Sequence, residues 1–278
     1  MREKIVRYKI FTRVFAFTAV FFLCFSIYLF RQQTKRDYQT MNDISGSVIN
    51  SVRENFTLIN DTVIKMLANI QGSSVAARMI YQTETDQNRH AMDYKQLNDM
   101  LVMIPEVDSA VSYNNKSKTF EYFICDKKEM AEISDNIIYS GKSFASYAPY
   151  VSMTQDNMKR KKYLITYYAY DYLAENIMNG VIAVNLKPDF IEKAAKNIGA
   201  ENINISLCDE NGKIVYSCSG ARSYGESFSA DFLSEAENGF NERISGERYF
   251  VSSGKLPASN YTIVCELPYS AVSGVGYK

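Results

Sequence analysis

The sequence predicts an α+β chain: an N-terminal transmembrane helix, a long stalk helix, then two tandem units built on antiparallel sheets. Three observations carry this. An uncharged apolar run, residues 14–30, sits inside a basic head. Beyond it, apolar residues recur every three or four positions as far as Ile70. From Val107 onward, short runs rich in Val, Ile and Tyr are punctuated by turn residues. The chain has 278 residues, 46% hydrophobic and 22% charged, enough for real cores and unlike a disordered chain.

The head carries eight basic residues up to Arg36 against Glu3 alone. The whole chain balances 31 basic against 31 acidic residues, so everything after residue 36 is net acidic. Such a balance excludes a typical nucleic-acid binder. Residues 14–30, VFAFTAVFFLCFSIYLF, are 17 uncharged positions, the short end of a membrane span. Arg13 and Arg31 can snorkel to its two interfaces. Five basic residues precede the span, so the positive-inside rule places residues 1–13 in the cytoplasm and residues 37–278 outside the cell membrane. The run is longer than a signal-peptide core, and no small-residue cleavage site follows it, which marks an uncleaved anchor.

The stalk is expected over residues 31–83. Met41, Ile44, Val48, Val52, Phe56, Ile59, Val63, Met66, Leu67 and Ile70 form one helical stripe. A helix of about 45 residues extends about 68 Å. That is too long for one small core, so its near end is expected to pair with a second copy in a homodimer. Residues 84–89 read as a polar bend, with His90 in a solvated turn. A short helix is expected over 93–104, with Asp93 as its cap and Pro105 beyond its end.

Strands are then expected at 107–113 and 119–125, joined by an Asn-rich turn, and at 146–153 and 163–170, joined by the charged turn 155–162. An apolar strand at 181–186 precedes a helix at 190–198 that Gly199 ends. In the second unit, strands at 204–208 and 213–218 flank Asn211-Gly212, a hairpin signal. A two-residue loop there sets Cys208 opposite Val215 and Cys218 opposite Ile205. The two thiols then point to opposite faces, which disfavours a disulfide. A helix over 231–237 and paired strands at 247–253 and 261–267 complete the unit. Cys125 and Cys265 read as small apolar strand residues.

This order of elements resembles the extracellular double Cache (PAS-like) sensor domain of bacterial transmembrane receptors, most of all those of sensor histidine kinases. Ala148-Pro149-Tyr150-Val151 is similar to the family's Tyr-containing strand. Gly180-Val181-Ile182-Ala183-Val184-Asn185-Leu186 is similar to the strand that closes its membrane-distal unit, and LCDENGKIVY (207–216) to the hairpin that opens its membrane-proximal unit. The resemblance implies a distal unit over 84–199, a proximal unit over 200–270, and a linker from 271–278 to a second span. It implies a sensor that passes ligand binding across the membrane through a dimeric helix. The implied output is a histidine kinase outside these residues, or else a chemotaxis receptor, a diguanylate cyclase or a membrane-bound transcription regulator. A tethered exported binding protein is the remaining alternative; about 20 apolar residues following Lys278 would favour the receptor.

The family's amino-acid-binding members use an Arg-x-Trp-Tyr stretch with Tyr-x-Asp and a closing Asp. This chain has no Trp, reads Tyr150-Val151-Ser152 at the second motif, and has Asn185 at the closing position. A buried ammonium without a carboxylate is costly, so a free α-amino acid is not the expected ligand. The candidate binding residues are Tyr139, Tyr147, Tyr150, Ser152, Tyr168 and Asn185. They offer neutral hydrogen-bonding groups on aromatic walls, suited to a sugar, a small carboxylate or a polar heterocycle. Strand propensity alone also accounts for tyrosines at such positions. One His and scattered Cys point to no metal site, and no cofactor is expected. No nucleophile, P-loop or zinc-protease motif is present, so residues 1–278 are not expected to be an enzyme.

Overall fold

The computed structural model describes residues 2–81, 86–124, 149–155, 161–174, 177–197, 203–218 and 222–272. The chain divides into two units, Met1–Ile44 and Ser45–Lys278. Helix α1 (Arg2–Gln71) gives its first part to one and its remainder to the other. In the first unit Phe11, Phe15, Phe17, Phe21, Phe22 and Phe30 are all exposed. Phe21 and Phe25 stack at 6.2 Å, and Thr18 Oγ1 donates to the Val14 carbonyl at 2.8 Å, which hides the hydroxyl along an apolar surface. Among the described residues, α1 is the one helix long and apolar enough to cross a membrane.

In the second unit, α1 buries Val48, Val52, Phe56, Val63, Leu67 and Ile70 of the stripe its periodicity predicts, but the polar Asn60 is buried where the stripe had Ile59, which is half-buried. The single stalk helix expected to residue 83 is instead two helices. Gly72 closes α1 with an N–H···O bond to Ala68 at 2.9 Å. Ser73 then caps α2 (Ser74–Tyr81), its Oγ accepting from the Ala76 N–H at 3.2 Å. Helix α3 (Gln87–Val102) starts earlier than expected because Asp86, not Asp93, is the cap: its carboxylate accepts from the Asn88 N–H at 3.0 Å. His90 therefore sits on this helix rather than in a turn, with Nε2 3.4 Å from Glu121. Asp93 is buried inside the helix and takes two 2.6 Å hydrogen bonds from Arg78 of α2.

The first sheet contains β1 (Val107–Asn114), β2 (Thr119–Phe123), β3 (Tyr150–Gln155), β4 (Lys161–Ala174) and β5 (Ile177–Leu186). Their order is β2-β1-β5-β4-β3, antiparallel throughout. The β1–β2 turn is held by Asn114 Oδ1, which accepts from the N–H groups of Lys116 and Ser117 at 2.9 and 3.1 Å. One face of this sheet meets the helices. Tyr167 donates its hydroxyl to Asn60 Oδ1 of α1 at 3.1 Å, and Asn114 Nδ2 donates to the Met79 carbonyl of α2 at 3.3 Å. On α3, Tyr94 stacks on Phe123 at 4.9 Å. Helix α4 (Asp189–Asn197) follows β5, and its Phe190 meets Phe56 of α1 at 6.1 Å.

The second sheet contains β6 (Asn204–Cys208), β7 (Ile214–Ser217), β8 (Phe240–Ile244), β9 (Glu247–Lys255) and β10 (Thr262–Pro268), ordered β7-β6-β10-β9-β8. Helix α5 (Ala230–Asn238), capped by Ser229, lies between β7 and β8 in the chain, and the short α6 (Tyr269–Val272) follows β10. Strand β8 was not expected from the sequence. It pairs with β9 through Ser245-Gly246, both at positive φ (52° and 89°), the geometry of a tight hairpin turn. The β6–β7 register differs from the two-residue-loop expectation. Asp209 Oδ1 accepts from the N–H groups of Asn211 and Lys213, which lengthens the loop. A bulge then sets Cys208 opposite Ile214 rather than Val215. Cys218 does lie against Ile205, donating its N–H to that residue's carbonyl at 2.9 Å. Cys208, Cys218 and Cys265 are all free thiols; Cys125 lies outside the described residues.

The start of this stretch of α1 meets the second sheet. Ser45 hydrogen-bonds Ser252 of β9, and a Cβ placed on Gly254 would stand 2.7 Å from Ile49 Cγ2.

Candidate ligand-binding face

Side chains alternate across a strand, so the register assigns each residue to a face. The helix-facing side of the first sheet holds Ile165, Tyr167, Ile182 and Val184. The other side carries Ser109, Val111 and Tyr113 from β1, Val181, Ala183 and Asn185 from β5, and Leu164, Thr166 and Tyr168 from β4. Tyr150 on β3 stands opposite Thr166 and shares this face. Three of the sequence-derived candidates, Tyr150, Tyr168 and Asn185, are therefore brought to one surface. Ser152 occupies the register position opposite Leu164, two residues along β3 from Tyr150. Tyr139 and Tyr147 lie outside the described residues.

Within this face Val111, Tyr113, Leu164, Tyr168, Val181 and Ala183 form a buried apolar cluster, with Phe120, Tyr122 and Tyr150 partly buried against it. Tyr113 and Phe120 pack at 4.8 Å. Beside the cluster runs a polar row that the sequence did not reveal. Thr166 donates its hydroxyl to Asn185 Oδ1 at 2.7 Å, and Asn185 Nδ2 donates to Ser109 Oγ at 3.1 Å. All three residues are buried. Asn185 thus ties β4, β5 and β1 together, a structural duty in addition to any ligand contact. Register alone identifies its partners: Thr166 and Ser109 are its direct cross-strand neighbours. Among the described residues just named on this face, none carries a charge.

The face also communicates with the second sheet. The Val151 N–H, on the edge strand β3, donates to the Tyr261 hydroxyl at 2.8 Å. Burial pushes that phenol up to about 12, so it stays protonated. Tyr163 of β4 meets Tyr216 of β7 edge-to-face at 5.2 Å.

No family model matches the sequence, and no curated protein matches it. Solved structures do. A domain of a protein assigned to the sensory box/GGDEF family of Vibrio parahaemolyticus aligns at TM-score 0.56 and 13% identity, over 85% of this chain and 99% of that one. The extracellular domain of a protein assigned as a histidine kinase, vpHK1S-Z8, aligns at TM-score 0.55 and 11% identity, over 86% and 96%. The fold is the Cache-like fold of bacterial sensory domains. The ligand-binding domain of the Pseudomonas aeruginosa PAO1 amino acid chemoreceptor PctB, in complex with L-Gln, aligns at TM-score 0.55 and 9% identity, over 86% of this chain and 94% of that one. At these identities the likeness is one of fold, and the Cache-like fold recurs under different outputs.

Proposed function

We propose that this chain is the ligand-sensing portion of a membrane-bound signal-transduction receptor. The observation that carries the reading is a Cache-like two-sheet fold continuous in sequence with a helix bearing one apolar span. Residues 1–13 stay in the cytoplasm, and residues 84–199 and 200–270 form the two extracellular sensor units. Two copies pair through α1, and a ligand-induced shift of the strands is passed along it. The output is a histidine kinase lying outside these residues, and residues 1–278 sense rather than catalyse. A chemotaxis receptor or a diguanylate cyclase is the second reading, favoured by the chemoreceptor and GGDEF neighbours.

The ligand is a small polar molecule that docks on the face bearing Tyr150, Ser152, Tyr168 and Asn185. The uncharged row Ser109–Asn185–Thr166 supports a neutral or weakly charged ligand over a free α-amino acid, whose ammonium needs a carboxylate partner. A thermal-shift screen of the full chain in detergent, covering sugars, small carboxylates, polar heterocycles and free amino acids, tests this. A saturable hit among the first three classes is expected, lost in Tyr150→Ala with the melting point otherwise little changed. Saturable binding of a free amino acid that Tyr150→Ala abolishes overturns the ligand class. A hit that survives Tyr150→Ala overturns the site.

A further inference from the structure

Where α1 leaves its apolar run, one side of the helix becomes cationic. The uncharged stretch ends at Phe30, and Arg31, Lys35 and Arg36 follow, all exposed. At 1.5 Å per residue, Arg31 to Lys35 covers about 6 Å of the axis, about the depth of one lipid headgroup layer. Successive residues turn by about 100°, so Tyr28, Arg31, Gln32 and Lys35 share an arc of about 100°, and Arg36 borders it. No acidic residue shares that arc. Asp37 falls about 180° from Tyr28, on the opposite side of the helix. The next acidic residue, Asp43, lies about 12 Å beyond Lys35 along the axis, more than a screening length at physiological salt.

The side chains on this arc are arranged around one hydroxyl. Gln32 Nε2 donates to the Tyr28 phenol oxygen at 2.9 Å. The phenol accepts in that bond, so its own hydrogen remains to donate. Tyr28 is 57% exposed. Helical spacing puts it on the side of Phe21 and Phe25, whose rings stack deeper in the span. On the other side, Thr34 spends its hydroxyl on the Phe30 carbonyl at 2.9 Å. The outward donors at this end of the span are thus gathered on the Tyr28 side.

The chemistry of the arc selects an occupant. A tyrosine with a wet tip suits the membrane interface, and the long cations beside it reach the layer where lipid phosphates lie. A guanidinium takes a phosphate through two parallel N–H donors. A zwitterionic lipid also carries a phosphate, but its ammonium would stand among Arg31, Lys35 and Arg36. A lipid of net negative charge brings the phosphate without that cation.

We propose that Tyr28, Arg31, Gln32 and Lys35 form a binding site for the headgroup of an anionic phospholipid. Arg31 and the Tyr28 hydroxyl take the phosphate, and Lys35 supplies further charge. The proposal rests on the reading of α1 as a membrane span. A lipid held there fixes the height of α1 in the bilayer, on the helix along which the signal is proposed to pass.

Electron paramagnetic resonance of the full chain in phosphatidylcholine vesicles tests it. Trace spin-labelled phosphatidylglycerol is added to one sample and spin-labelled phosphatidylcholine to another. The fraction of label slowed at the protein surface is expected to be larger for phosphatidylglycerol. The basic head at the other end of the span attracts the same lipid, so the site is read from the variants. Arg31→Gln combined with Lys35→Gln should lower the preference about 2-fold or more. Tyr28→Phe should also lower it, although the charge is unchanged. All three positions are exposed, so the fold does not depend on them. No slowed component with either lipid overturns the span reading and the proposal with it. A slowed component equal for the two lipids, or a preference that survives the double variant, overturns the proposal alone. A preference lost in the double variant but indifferent to Tyr28→Phe replaces the site with diffuse attraction, and overturns it too.

Discussion

Asp93 shows what a single side chain contributes once its partner is known. Two hydrogen bonds from Arg78 join α3 to α2, and these bonds hold the Asp93 carboxyl below the usual carboxylate range, with burial working in the opposite direction. A carboxylate whose folded pKa is depressed adds stability that is fully present above its unfolded pKa, about 4. That stability is lost as the pH falls through the lower folded value. Asp93→Asn should therefore unfold more easily at neutral pH, by about 2–3 kcal/mol. The gap from the wild type should narrow in denaturant titrations repeated below pH ~4. A gap that stays constant with pH would assign the loss to packing instead. From sequence, Asp93 reads as the cap by its residue type, and Asp86 falls in a polar bend. Only the position of Arg78, fifteen residues upstream of Asp93, decides that Asp86 caps and Asp93 pairs. Asn185 teaches the same lesson at the candidate face. Its place on a strand beside Ala183 and Val181 was legible from alternation, but Thr166 and Ser109 became its partners only through strand register, which one sequence does not encode locally.

Elements with a strong period were legible, and those whose identity depends on a neighbour were not. Val48, Val52, Phe56, Val63, Met66, Leu67 and Ile70 of the α1 stripe bury as their spacing requires, and Ile59 does so only in part. Strand β8, FNERI, has two charges in five residues and sits at the sheet edge, so its pattern is that of an exposed turn until β9 pairs with it. Contact between α1 and the second sheet was equally hidden. Gly254 lets α1 approach β9 until an added Cβ would meet Ile49 Cγ2 at 2.7 Å. Ile49 is β-branched and stiff at χ1, so this methyl cannot swing aside freely. Gly254→Ala should cost about 1–3 kcal/mol through overpacking. Ile49→Ala removes the obstructing methyl, so the double variant should lose less than the two single losses added. Urea titrations of the four proteins check this; strict additivity would mean that the helix and strand do not meet there.

At the scale of the whole molecule, the two sheets follow from separate runs of alternating residues, but their joining does not. Tyr261 and Val151 are 110 positions apart and in different sheets. Nothing near either residue announces the bond, since a tyrosine after Ser259-Asn260 reads as an ordinary strand start. The bond has two physical consequences. It satisfies an outward N–H on β3, which among the described residues pairs with β4 and lies at the sheet edge. It also ties the strand carrying Tyr150 to the start of β10, whose Cys265 lies one strand from Ser252 and hence from Ser45 of α1. Removing only that hydroxyl separates the two roles of Tyr261. Tyr261→Phe keeps the buried ring and leaves the Val151 N–H without its partner, at a cost of about 1–2 kcal/mol. Hydrogen exchange should accelerate at Val151 and along β3, while β1 and β5 in the interior of the first sheet keep their protection. Tyr163→Phe is the control, because its ring contact with Tyr216 survives and the change should stay within about 0.5 kcal/mol. If β3 keeps its protection in Tyr261→Phe, the hydrogen bond does not hold β3 in place, and strain at Tyr150 reaches the second sheet through the Tyr163–Tyr216 ring contact on β7 instead.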